Sequence, residues 1–238
     1  WEVEFFPSRP DLYSVEGVAR ALRNFLCAED EIKEFTYPFT DSGIIVNVEP
    51  SITDIRPFIA CARVDNVRFN SEFIISLMNI QEKLHLTLGR KRVKVAIGVH
   101  NITPIKPPMT YKATDPHDVV FIPLESTQAM NLTQILRNHK KGRDYAVTLE
   151  GFDKYPILMD SLYQVLSFPP IINGELTKVP QDTKDLFIDV TGTSEDAGSA
   201  GSSRIRCPRS TRSAPSATSS RRRSRSTSGS APPRSVGV

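Results

Sequence analysis

The spacing of apolar and polar positions predicts a mixed order of helices and strands. Val15, Val18, Ala19, Leu22 and Phe25/Leu26 fall on one helical face, and Ser14 is placed to cap that helix. Phe73, Leu77, Ile80, Leu84 and Leu88 repeat at the same period, with Ser71 as a cap and Gly89 as a stop. Residues 43–48 (GIIVNV), 57–67 (PFIACARVDNV), 93–99 (VKVAIGV) and 119–122 are rich in β-formers and read as strands. Three prolines make 103–108 a loop. Asn131 or Thr133 caps a helix to about His139, and 142–150 adds a turn or two. Short strands follow at 156–159, 163–168 and 185–190, with turns at Pro169-Pro170 and Asn173-Gly174. Strands and helices do not alternate regularly, so the expected fold is α+β, with a mixed or mostly antiparallel sheet and packed helices.

The pattern stops after Thr193. Residues 199–238 hold nine Arg and thirteen Ser but no Lys, Asp, Glu or aromatic residue. Such a segment buries too little surface to offset its ordering entropy. The expected organisation is a linker and helix at 1–50, a folded unit at 51–195, and a disordered Arg/Ser-rich tail at 196–238. The tail has the composition of a GC-rich reading frame out of register, and the rival reading is an RNA-binding arm. With nothing expected to pack on it, deleting 199–238 should leave folding unchanged.

This break changes the meaning of the charge. The chain has 238 residues and a formal charge of +3, yet residues 1–198 alone carry −6. It is an acidic body with a basic tail rather than a basic nucleic-acid-binding globule. No window approaches eighteen apolar residues, so no membrane span is expected. The start, Trp1-Glu2-Val3-Glu4, lacks a signal peptide and a Met, so the chain reads as beginning inside a longer one. Cys27, Cys61 and Cys207 show no C-x-x-C spacing and suit a reducing cytoplasm.

Generic chemistry is sparse. His85, His100, His117 and His139 lack metal-ligand spacing and read as surface or helix-end residues. There is no nucleophile elbow, Gly-rich phosphate loop or kinase set. Arg90, Lys91 and Arg92 lie between a helix end and a strand, and Lys140, Lys141 and Arg143 form a second basic cluster. Both fit either a solvated turn or contact with a nucleic-acid backbone.

Four runs are more specific: residues 9–26 (RPDLYSVEGVARALRNFL), 56–64 (RPFIACARV), 81–101 (QEKLHLTLGRKRVKVAIGVHN) and 149–193 (LEGFDKYPIL…SFPPIING…TKDLFIDVTGT). Together they resemble the β subunit of phenylalanyl-tRNA synthetases of the archaeal and eukaryotic type, over about residues 1–195. The resemblance implies the tRNA-editing region of that subunit, which removes tyrosine wrongly attached to tRNA(Phe). For the whole enzyme it implies a cytoplasmic α2β2 ligase that charges tRNA(Phe) with phenylalanine using ATP and magnesium. No metal or cofactor is expected in this segment, and it should not charge tRNA by itself.

The resemblance also implies a site. Asn173 would read the tyrosine hydroxyl and Leu158 would line the ring slot. Ser167, Asp189 and Thr191 would orient the aminoacyl end and the attacking water. Arg56 would face the tRNA 3′ end, and Arg90, Lys91 and Arg92 its backbone. On residues alone, Asn173 also fits a turn, Leu158 plain core, and Asp189-x-Thr191 a strand-end cap. Asp189 and Thr191 are two apart, so a strand projects both on one face. The competing function is a non-catalytic RNA-binding or assembly module of the same subunit.

Overall fold

The alternation at 57–67 and 93–99 forms β2 (Phe58–Asp65) and β3 (Val95–Asn101), and 185–190 becomes β10 (Leu186–Gly192) between them. The computed structural model describes residues 3–6, 8–26, 39–194 and 204–211. Its other sheet strands are β1 (Phe39–Val48), β4 (Met109–Thr114), β7 (Tyr155–Met159), β8 (Val165–Phe168), β9 (Ile172–Asn173) and β11 (Arg204–Thr211). They join in the order β3-β10-β2-β11-β1-β4-β7-β8-β9. Pairing is antiparallel except at β2/β11 and β1/β4, which makes the sheet mixed and mostly antiparallel. β5 (Val120–Phe121) and β6 (Met130–Asn131) form a separate ribbon.

The helices begin where side chains satisfy the free backbone N–H groups of the first turn. Ser14 accepts from Gly17 N at the start of α1 (Val15–Phe25). Asn70, one residue before the expected Ser71, caps α2 (Ser71–Leu86) through Phe73 N. Asn131 and Gln134 form a reciprocal capping box on α3 (Leu132–Asn138). The next turns form α4 (Lys140–Tyr145) and a short 3-10 helix. Phe73 and Leu77 of α2 pack with Val99, Leu186 and Ile188 on the β3/β10 end of the sheet. Leu132, Ile135, Tyr145, Ile157 and Phe168 build a second core under α3 and α4.

Part of the segment expected as tail is described. Residues 204–211 pair antiparallel with β1 and parallel with β2, filling the middle of the sheet, while the rest of the tail lies outside the described residues. Cys207 is fully buried with Val46, Ile59 and Phe187. Pro208 lacks an N–H and would ordinarily break a central ladder. Here the β1–β11 register shifts between Asp41 and Ile45, beside Pro208. Gly43 in that bulge has φ +72, a region where a side chain would be strained.

Candidate functional site

The outermost strand, β3, has no strand on its far side, and side chains take up its backbone groups. His85 Nε2 accepts from Ile97 N at 2.8 Å, and Gln81 Nε2 donates to Ile97 O at 2.6 Å. Asn173 Nδ2 donates to Val99 O at 3.2 Å. Between α2, the 168–173 turn and the β3/β10 face lies a cavity of about 560 Å³. Its apolar wall includes Ile74, Met78, Phe168, Pro169, Ile171 and Val179.

Five of the site residues singled out in the sequence line the cavity: Ser167, Asn173, Asp189, Thr191 and Arg92. Ser167 Oγ is buried and has no hydrogen-bond partner. With its amide nitrogen on a carbonyl, Asn173 keeps Oδ1 as an acceptor, an orientation assigned from the hydrogen-bond network. Asp189 and Thr191 share the face expected from their spacing, and both are buried.

The structure places the others differently. Leu158 is fully buried in the central core with Val46, Tyr111 and Phe187 and does not line the cavity. Its β7 neighbours alternate into the core on both faces of the sheet, while Phe168 and Ile171 line the cavity. Arg56 is 3% exposed and turned inward rather than toward an external ligand. Its Nε donates to Thr191 Oγ1 at 2.9 Å, while its terminal nitrogens donate to Thr191 O and Val93 O. Burial pulls its guanidinium down to about 10, so it stays charged at neutral pH.

The basic turn also divides. Arg90 and Lys91 are exposed, and Arg90, Lys91 and Arg92 are all left-handed, with φ of 48°, 54° and 68°. That rare backbone folds Arg92 back under the protein. Its guanidinium donates to Pro170 O, Ile171 O and Glu82, and lies 4.2 Å from the Tyr145 ring centroid. Arg92 therefore ties the 168–173 turn to α2 and is not a free backbone-binding cation.

His85 lies in the last turn of α2, a helix end as expected, but is only 3% exposed, and His100, on a strand, is fully enclosed. Nothing near either in sequence signals this, because their partners lie on other elements. His117 is exposed, and His139 sits at a helix end as expected. Burial, then the Arg92 charge, depresses the His85 imidazole to about 4. At neutral pH its 3.7 Å approach to Glu82 is thus not an ion pair. A histidine depressed in the folded state stabilises above its unfolded value near 6.5, and that contribution is lost as pH falls toward 4. Urea stability should therefore drop between about pH 6.5 and 4, and a His85→Gln chain should show a shallower slope there. Equal slopes would show that another group sets the acid limit.

Among the described residues, no three His, Cys, Asp or Glu side chains cluster to hold a metal ion. Two of the cavity's carboxylates are engaged separately: Asp189 with His100, and Glu82 between Arg92 and Lys141. Although burial pushes the Glu82 carboxyl up, Arg92 and Lys141 hold it down at about 2. No helix among the described residues is long and apolar enough to cross a membrane.

Comparison with known proteins places the chain in the class of aminoacyl-tRNA synthetase subunits, as a segment of one. The chain belongs to the family of phenylalanine–tRNA ligase β subunits. It is 51% identical over 191 residues to the β subunit of Methanococcoides burtonii, covering 80% of this chain and 35% of that protein. The Archaeoglobus fulgidus β subunit is 49% identical over 199 residues, covering 84% and 36%. The chain thus spans about a third of the length of these relatives. An N-terminal fragment of the phenylalanyl-tRNA synthetase β subunit from Pyrococcus horikoshii is similar in structure. Its TM-score is 0.75 at 41% identity, covering 81% of this chain and 55% of that one. No family model matches the chain.

Proposed function

We propose that this segment hydrolyses tyrosine from mischarged tRNA(Phe). The observation that carries the reading is the convergence of Ser167, Asn173, Asp189 and Thr191 on one cavity with an apolar wall. Tyrosine differs from phenylalanine by one hydroxyl. An apolar pocket rejects an added hydroxyl by only about 10²-fold, whereas a pocket that hydrogen-bonds it discriminates far more strongly. Asn173 Oδ1 accepts the phenol proton while the apolar wall takes the ring. Thr191 accepts from Arg56 and keeps its own proton to donate. Ser167 Oγ, without a protein partner, is available to the same ligand. Asp189 holds the attacking water and draws off its proton as the water oxygen bonds to the ester carbonyl. The acyl C–O bond then breaks as Asp189 passes the proton to the departing ribose oxygen, giving free tyrosine and tRNA with its ribose hydroxyl restored.

Within the whole cytoplasmic ligase, the α subunit, ATP and magnesium serve the charging of tRNA(Phe) with phenylalanine. Arg90 and Lys91 are the remaining candidates for contact with the tRNA backbone. The test is incubation of the 238-residue chain with Tyr-tRNA(Phe) and Phe-tRNA(Phe). Release of tyrosine in preference to phenylalanine is expected. Binding of the charged tRNA without release of either amino acid overturns the hydrolase reading in favour of a non-catalytic module.

A further inference from the structure

Asp189 does not stand alone in the cavity wall. β3 and β10 pair antiparallel with Asp189 opposite Gly98 and Phe187 opposite His100, so His100 is the diagonal neighbour of Asp189 on one face. His100 Nε2 lies 2.7 Å from Asp189 Oδ1, and His100 Nδ1 lies 2.8 Å from Thr177 Oγ1. His100, Asp189 and Thr177 are 0%, 2% and 1% exposed. Thr177 also reaches Gly174 O and Leu166 O, but at 3.3 and 3.4 Å. The shortest contacts are all satisfied when Thr177 donates to Nδ1 and Nε2–H donates to the carboxylate.

The surrounding backbone is fitted to this pair. A Cβ on residue 98 would stand 2.2 Å from Asp189 Oδ1 and 2.7 Å from His100 Nε2, so only glycine leaves room for the bond. One carboxylate oxygen is thereby fixed. The other takes no hydrogen bond from a described residue, and Asp189 lines the cavity.

We propose that His100 is a positioning residue: held by Thr177, it clamps Asp189 Oδ1 and presents Oδ2 to the water that attacks the ester. The inference rests on the hydrolytic reading above. It follows from geometry because a carboxylate free to rotate would carry its water away from the carbonyl. Displacement of about 1 Å costs on the order of 10²-fold in rate.

Two measurements on the full chain test it. The first is kinetic. His100→Leu should lower kcat for Tyr-tRNA(Phe) by about 10- to 100-fold with KM changed less than about 2-fold. His100→Gln, whose amide nitrogen can replace Nε2, should recover kcat to within about 3-fold of the parent. Thermal melts confirm that both variants fold. The second is independent of activity. In ¹⁵N-histidine-labelled protein, a protected, low-field Nε2–H proton is expected for His100 and should vanish in Asp189→Ala. Its absence from the parent chain overturns the clamp whatever the rate. A parent that hydrolyses while folded His100→Leu keeps full kcat overturns the inference and spares the hydrolase reading. A parent that shows the proton but releases no tyrosine overturns the hydrolase reading, and the catalytic role of His100 with it.

Discussion

Ending the chain at Gly198 should abolish the cooperative urea transition or lower its midpoint by more than about 1 M. The removed strand, β11, carries an antiparallel ladder from Phe39–Ser210 to Asn47–Arg204 and a parallel one from Arg209–Arg63 to Thr211–Asp65. A hydrogen bond contributes about 0.5–1.5 kcal/mol net. Two ladders are therefore comparable with the about 5–15 kcal/mol that holds a whole domain together. Truncation also opens the core around Ile44, Val46, Ile59 and Cys61, where Cys207 is enclosed. Urea unfolding followed by far-ultraviolet circular dichroism compares the two chains. Coincident curves would mean that β1 and β2 close on each other without the strand.

Arg56→Met should cost on the order of 3–5 kcal/mol. The guanidinium supplies donors to Thr191 Oγ1, Thr191 O and Val93 O. Methionine keeps much of the stem but leaves these acceptors without their donor. A lost bond to a charged partner costs about 1.5–3 kcal/mol, and three that share one group are not additive. Arg56 also supplies its own carbonyl to the Tyr111 hydroxyl at 2.9 Å, a bond through the backbone that the substitution retains. The variant should thus unfold at lower urea while keeping the same m-value. Hydrolysis should fall as well, since Thr191 loses the donor that orients it. Unchanged stability would mean that water replaces the guanidinium.

Contacts between near neighbours were legible in the sequence, and contacts across the chain were not. Local rules identified Ser14 and Asn131 as caps because each partner lies three residues away. Period-two spacing put Asp189 and Thr191 on one face because a strand enforces it. What failed was long-range. Arg56 reads as a surface residue before a strand until Thr191, 135 positions later, meets it. His100 has no local signal because Asp189 is 89 positions away. β4 escaped notice because Met109–Thr114 follows a proline-rich loop and mixes polar with apolar residues at short range. β11 has little apolar alternation, and its described place in the sheet is seen in backbone pairing and the enclosed Cys207.

The position of β11 has a consequence for how the protein is made. Without it, β3-β10-β2 and β1-β4-β7-β8-β9 are two separate half-sheets. The ribosome delivers every strand of both halves before it delivers the one that joins them. Ser42 must wait for Cys207, 165 residues later, to accept its hydroxyl bond. Closure over such separations is slow, and until it happens β1 and β2 each present an unpaired edge to other nascent chains. Synthesis that stalls near residue 200 would therefore release a species with two adhesive edges, and β11 acts as the protein's own guard against aggregation.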